Sequence, residues 1–184
     1  MTVATLAARG LIGGLFIGHG TQKLNGWFGG PGLDGTAAMM QSLAMHPARR
    51  NALAAGVTET TGGALLALGL GTPLASAALI GVMTTAIRKV HLPNGPWVTN
   101  GGWEYNAVLM AALTVLAENG PGPVSLDRLL GTERKGVPWA LGALALGVAA
   151  SSATIEMARR STPPGAVPDP ASLPNESGDP VTSE

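Results

Sequence analysis

The sequence predicts an all-α fold, a polytopic membrane bundle with four core helices and a fifth transmembrane helix. Three observations lead there. Of 184 residues, 46% are hydrophobic and only 12% charged, with a mean hydropathy of +0.28. An average soluble domain carries about 25% charged residues. Five apolar stretches, about Val3–Leu24, Ala52–Leu70, Thr72–Ile87, Tyr105–Ala117 and Val137–Ile155, approach the ~20 residues that span a bilayer, the third and fourth by borrowing flanking residues. Glycine is abundant, at 27 residues. Inside soluble helices each would cost about 1 kcal/mol, whereas in a membrane bundle small residues let backbones approach.

Composition also excludes functions. A formal net charge of zero gives no footprint for nucleic acid. With no cysteine, disulfides, thiolate catalysis, iron–sulfur clusters and thiol-based quinone chemistry are absent.

In the first stretch Arg9 precedes Leu11 to Gly18, as in a secretory signal. His-Gly-Thr-Gln-Lys follows instead of a small-residue cleavage pattern, so it reads as an uncleaved membrane helix. His19, Gln22 and Lys23, spaced i, i+3, i+4, share one side. At 100° per residue Arg9 lies within about 40° of Lys23 and about 80° of His19. Beside them Gly10, Gly14 and Gly18 form a repeated GxxxG stripe suited to close helix packing or oligomerisation. The loop Asn25 to Pro47 holds the Gly26–Gly32 turn, which lacks the strand–helix context of a phosphate loop. It also holds a short amphipathic helix, Thr36–Met45, capped by Thr36.

The second stretch carries Glu59 within Gly56-Val-Thr-Glu-Thr-Thr-Gly-Gly63, roughly 13 Å from the interface at Arg50. A mid-bilayer carboxyl costs on the order of 3 kcal/mol. It calls for hydrogen bonds from Thr58, Thr60 or Thr61, and better a cationic or imidazole partner, with Arg9 or His19 of the first helix in reach. Gly69–Pro73 makes a tight hairpin into the third stretch. Arg88, Lys89 and His91 end that stretch and Glu104 begins the fourth, so Arg88 and Glu104 are placed to pair. Trp97, Trp103 and Tyr105 suit an aromatic belt. Residues 1–120 thus form the core, 121–136 a polar connector, 137–158 the fifth helix, and 159–184 a cytoplasmic tail whose Pro, Ser, Asp and Glu predict disorder.

Basic residues set the orientation. One side collects Lys23, Arg49, Arg50, Arg88, Lys89, Arg159 and Arg160; the other has Arg128, Arg134 and Lys135, plus Arg9 if it snorkels there. The positive-inside rule places both polar motif loops and the tail in the cytoplasm of a cell-membrane protein, with the N-terminus outside. His19, His46 and His91 fall on that side without HxxxH or HxxE spacing, so no metal site is assigned.

At its motifs the chain resembles the DoxX family of small bacterial membrane proteins. The matching pieces are His19-Gly-x-x-Lys23-Leu, Gly26-Trp-Phe-Gly-Gly-Pro-Gly-Leu-x-Gly-Thr36, Glu59 with its following glycines, Arg88 with His91, and Asn100-Gly-Gly-Trp-Glu-Tyr105. The resemblance spans about Ala7 to Ala117 and implies a four-helix membrane core. It also implies a redox association, because family members are commonly described as oxidoreductase subunits.

Two functional readings follow. In the first, an interfacial pocket binds a quinone headgroup or a small anion, with His19, Glu59 and Glu104 as catalytic candidates. Gln22, Lys23, Arg88, His91 and Trp103 are then ligand-binding candidates, and redox enzymes are expected protein partners beside the lipid bilayer. Histidine suits proton exchange near neutrality, and Lys23 and Arg88 would hold negative charge. In the second, the protein is a non-enzymatic scaffold or a small-solute carrier whose buried charges fix helix register.

Overall fold

The alternation of apolar runs with Gly/Pro turns becomes, in the computed structural model, seven α-helices and no strand among the described residues, 2–163. The helices are α1 (Thr2–Asn25), α2 (Gly32–Ser42), α3 (Ala48–Leu68), α4 (Thr72–Ala86), α5 (Glu104–Asn119), α6 (Leu126–Leu130) and α7 (Val137–Arg160). All five apolar stretches are helical, and the loop helix and a single short turn in the connector complete the set. Ser125 starts that turn, its hydroxyl accepting from the Arg128 N–H at 3.2 Å. The tail beyond residue 163 lies outside the described residues.

Helix α2 begins four residues earlier than expected, and Thr36 is not its cap. Pro31 starts the helix, with Asp34 in the first turn where it complements the helix dipole. The Thr36 hydroxyl bonds the carbonyls of Gly32 at 2.7 Å and Lys23 at 3.2 Å. It ties α2 to the end of α1.

Helices α1, α3, α4 and α5 form a closed ring, with α1 against α3, α4 against both α3 and α5, and α5 returning to α1. Helix α7 lies outside the ring on α4 and α5. Phe16, Leu66, Leu79, Ile80 and Leu113 fill the centre. Burial of each such side chain contributes about 1.5–3 kcal/mol where water is the alternative; in lipid, close packing takes over that role.

The α1–α3 crossing uses different glycines from those expected. A Cβ on Gly13 would lie 2.5 Å from the Gly63 carbonyl oxygen, and one on Gly20 would lie 2.6 Å from the Thr60 nitrogen and 2.7 Å from the Gly56 oxygen. Gly10, Gly14 and Gly18 have no neighbour within 4 Å of such a carbon. The reason is helical register: a seven-residue step drifts only about 20°, so Gly13 with Gly20 meets Gly63 with Gly56 along one seam. Gly14 sits about 100° around from Gly13. Two glycine stripes run along α1, and periodicity alone does not choose between them.

Helices α1 and α7 are each long and apolar enough to cross a membrane. Helix α3 has 21 residues, while α4 and α5 have 15 and 16. Helix α4 gains length from a π-helical turn, Ile87–His91, that continues it. Outward-facing side chains include Leu11, Leu15, Leu53, Leu74, Val108, Val115, Leu141 and Leu146, giving the helical part an apolar exterior.

The two ends of the bundle differ. One collects the end of α1, α2, the π turn and the start of α5, so both polar motif loops lie together. At the other end Arg9 is 1% exposed and donates to the carbonyls of Pro121 and Val124. Buried Asp127 there accepts from the Thr72 N–H at 3.3 Å and the Thr132 hydroxyl at 2.8 Å. Arg9 therefore neither snorkels nor serves Glu59. Fourteen residues of helix, ~21 Å, separate it from the Lys23 end.

Candidate ligand-binding cavity

The motif end encloses a cavity of about 710 Å³ between α1, α2, α3, α4, α5 and α7. Its walls are largely apolar: Phe16 of α1, Met39 and Met40 of α2, Leu43 and Met45 just after it, Val82 and Met83 of α4, and Leu109 of α5. His19, Lys23, Asn51, Thr58 and Glu59 supply polar groups from α1 and α3, and Lys89, His91, Tyr105 and Asn106 from α4's extension and α5. The π turn matters here. Its extra residue per turn rotates the chain after Ala86, and Lys89, Val90 and His91 all reach the cavity.

Lys23 is the partner that Glu59 needs. Its ammonium stands 2.6 Å from Glu59 Oε2, with the Glu59 side chain 3% and that of Lys23 23% exposed. Both residues lie three positions past the glycines of the crossing, Gly20 and Gly56, where the backbones come closest. That approach lets the lysine stem span to α3. Thr60 and Thr61, expected to serve the carboxylate, bond back to the Gly56 and Val57 carbonyls of their own helix at 2.8 and 2.7 Å.

The first motif folds back over the end of α1. Gly26 takes a left-handed conformation at φ +73°, and a Cβ on Gly30 would lie 2.6 Å from the Gln22 Cα. The turn thereby presents the Phe28 carbonyl to the Gln22 amide nitrogen at 3.5 Å, and Gln22 Oε1 lies 3.1 Å from His19 Nδ1. Gln22 stands behind His19, outside the cavity lining.

The second motif is built around Gly101 and Gly102. A Cβ on Gly102 would lie 2.5 Å from the Pro96 carbonyl carbon, so this strand of loop packs backbone to backbone. The Gly101 carbonyl lies 2.7 Å from His91 Nδ1 and also accepts from Asn94 Nδ2 at 3.2 Å. Glu104 Oε1 accepts from the Val98 N–H at 2.7 Å, and the Trp103 N–H donates to the Gly95 carbonyl at 3.2 Å. Arg88 donates to the Ser152 hydroxyl of α7 at 2.9 Å.

Of the candidates, His19, Lys23, Glu59 and His91 therefore meet at the cavity. Gln22, Arg88, Trp103 and Glu104 support its walls. The expected Arg88–Glu104 pair does not form, because the loop turns the carboxylate inward onto its own backbone. Asn51, Asn106 and the methionines were not singled out from sequence, and Tyr105 was read only as an aromatic-belt and motif residue. Tyr105 and Asn106 follow Glu104 directly in the second motif, a signal that could have been read. Among the described residues, no group of three or more His, Cys, Asp or Glu is arranged to hold a metal.

An apolar-faced helical bundle with a polar-headed cavity at one end defines a class: an all-α membrane protein. A family model described as DoxX matches residues 4–92, about half of the chain, and the chain belongs to the DoxX family. That match takes in α1 to α4 with His19, Lys23, Glu59, Arg88 and His91, and stops before the Asn100–Asn106 loop. No curated protein matches the chain, and no solved structure does.

Proposed function

We propose that the protein is a multi-pass membrane subunit associated with redox chemistry, and that its cavity binds a quinone headgroup or a small anion. The observation that carries this reading is the convergence of His19, His91 and the Lys23–Glu59 pair on a mainly apolar cavity of about 710 Å³. Apolar walls with a few convergent polar groups are what small-molecule sites consist of. The methionine-lined side under α2 suits a flexible apolar substituent, because unbranched thioethers adapt to irregular shapes.

In this reading Lys23 steadies negative charge on the ligand, and His19 and Glu59 exchange protons with it. Gln22, Arg88, Trp103 and Glu104 act as positioning residues. All five long helices span the bilayer, with the motif end cytoplasmic, supported by the basic residues gathered there. Partner enzymes would dock from the membrane, and the outward Gly10, Gly14 and Gly18 stripe offers a surface for self-association.

Titration of a short-chain quinone into the protein in phospholipid nanodiscs tests the reading. Saturable binding, weakened tenfold or more by His19→Ala, is expected. Absence of saturable binding by both the quinone and a small inorganic anion would overturn it. One observation favours the second reading, a scaffold: Glu59 already has a close partner in Lys23, as a register-fixing clasp would. Undiminished activity of a co-purifying redox enzyme with His19→Ala and His91→Ala variants would select it.

A further inference from the structure

We infer that the cavity is built to receive hydrogen-bond donors, so that it takes the reduced, diphenolic form of a quinone-like headgroup in preference to the oxidised form. The inference rests on reading the cavity as a ligand site. It goes beyond that reading by fixing which redox form the site selects.

The argument begins with which proton sits where. His91 Nδ1 faces the Gly101 carbonyl at 2.7 Å, and a carbonyl can only accept. Nδ1 must therefore carry the hydrogen. The same holds for His19 through one more link. The Gln22 amide nitrogen donates to the Phe28 carbonyl, which fixes Gln22 Oε1 as the acceptor that faces His19 Nδ1 at 3.1 Å. A neutral imidazole has one N–H, so each ring keeps a lone pair on Nε2, and neither Nε2 has a hydrogen-bond partner among the described residues.

Two other lining groups are committed in the same sense. Asn51 directs its amide nitrogen to the Met45 carbonyl at 3.1 Å and the Pro47 carbonyl at 3.2 Å, leaving its Oδ1. Glu59 gives Oε2 to Lys23 and keeps Oε1. The uncommitted atoms of His19, His91, Asn51 and Glu59 are thus all acceptors. Lys23, Lys89, the Thr58 and Tyr105 hydroxyls and the Asn106 amide nitrogen are the counterweight.

A quinone headgroup offers carbonyl oxygens, which accept. Its hydroquinone offers two O–H groups, which donate to imidazole Nε2 at the same ring positions. Facing an acceptor with an acceptor forfeits a hydrogen bond in a largely apolar space, worth roughly tenfold in affinity for each. Two histidines held with Nδ1–H are also how metal ligands are oriented. Here no group of three or more His, Cys, Asp or Glu among the described residues is arranged to hold a metal ion.

Anaerobic equilibrium binding of decyl-benzoquinone and of its hydroquinone, to the full chain in nanodiscs, tests the inference. The hydroquinone is expected to bind at least tenfold more tightly. The variant Gln22→Leu releases His19 Nδ1 without removing the ring, and should reduce that ratio while binding persists. Independently, ¹⁵N NMR of the labelled histidines in the wild-type protein should report the Nδ1–H tautomer for His19 and His91. Equal or tighter quinone binding, or an Nε2–H tautomer at both rings, overturns the donor preference and leaves the cavity reading standing. Failure of both forms to bind overturns the preference and the quinone reading of the cavity, and leaves the small-anion reading to its own titration.

Discussion

Replacing Lys23 with Met removes the ammonium paired at 2.6 Å with a carboxylate that is 3% exposed. At 2.6 Å and an effective dielectric of 20, the gross attraction is ~6 kcal/mol. Desolvation of the two ions offsets much of this, and removal of one partner from a buried pair costs ~3–5 kcal/mol, because the other charge is stranded. The two single variants should be unequal. Glu59→Gln leaves an ammonium that is already 23% exposed and can turn toward water, so its cost is ~1–2 kcal/mol. Combining the two strands neither charge and should be less harmful than Lys23→Met alone. Equilibrium unfolding in mixed detergent micelles gives all three values. The expected coupling is at least ~2 kcal/mol. Additive effects, or a larger loss from Glu59→Gln than from Lys23→Met, would refute the stranded-carboxylate argument.

The glycine seam gives a paired test by the same assay. Gly20→Ala should destabilise by ~1–3 kcal/mol, because its Cβ meets α3 backbone, whereas Gly14→Ala should be neutral or stabilising by up to ~1 kcal/mol. Arg9→Met leaves the Pro121 and Val124 carbonyls without their donor and should lower the thermal midpoint, while ligand affinity at the far end stays unchanged. Gly102→Ala forces the second motif apart at Pro96, and loss of ligand affinity should exceed its effect on thermal stability. Because the chain has no cysteine, single Asn94→Cys and Lys135→Cys variants map topology directly. Membrane-impermeant maleimide on intact cells should label only Lys135→Cys, and the reverse pattern would invert the orientation.

Much of the site was legible because polar residues in a charge-poor sequence stand out. His19, Lys23, Glu59 and His91 were all singled out as interruptions of apolar runs, and all four line one cavity. Glu104 and Arg88 stood out for the same reason and turned out to serve the loop and α7. Sequence spacing places a residue at a helix end but does not say which way a loop then turns its side chain. Arg9 is the sharper lesson. It shares a helix face with Lys23, yet the loop that claims its guanidinium lies more than a hundred residues away in sequence.

The sequence by itself determined the helices, their punctuation by Gly and Pro, and the gathering of polar motifs at one end. These follow from local hydrophobicity and from alternating helix direction. Only the tertiary structure decided that Lys23 pairs with Glu59, that Gly13 and Gly20 form the seam, and that both histidines are held through Nδ1. Each depends on the rotation of one helix about its axis against another, and on carbonyls supplied by folded-back turns. A stripe of small residues or a lone imidazole is compatible with several such rotations, and close packing between helices selects one.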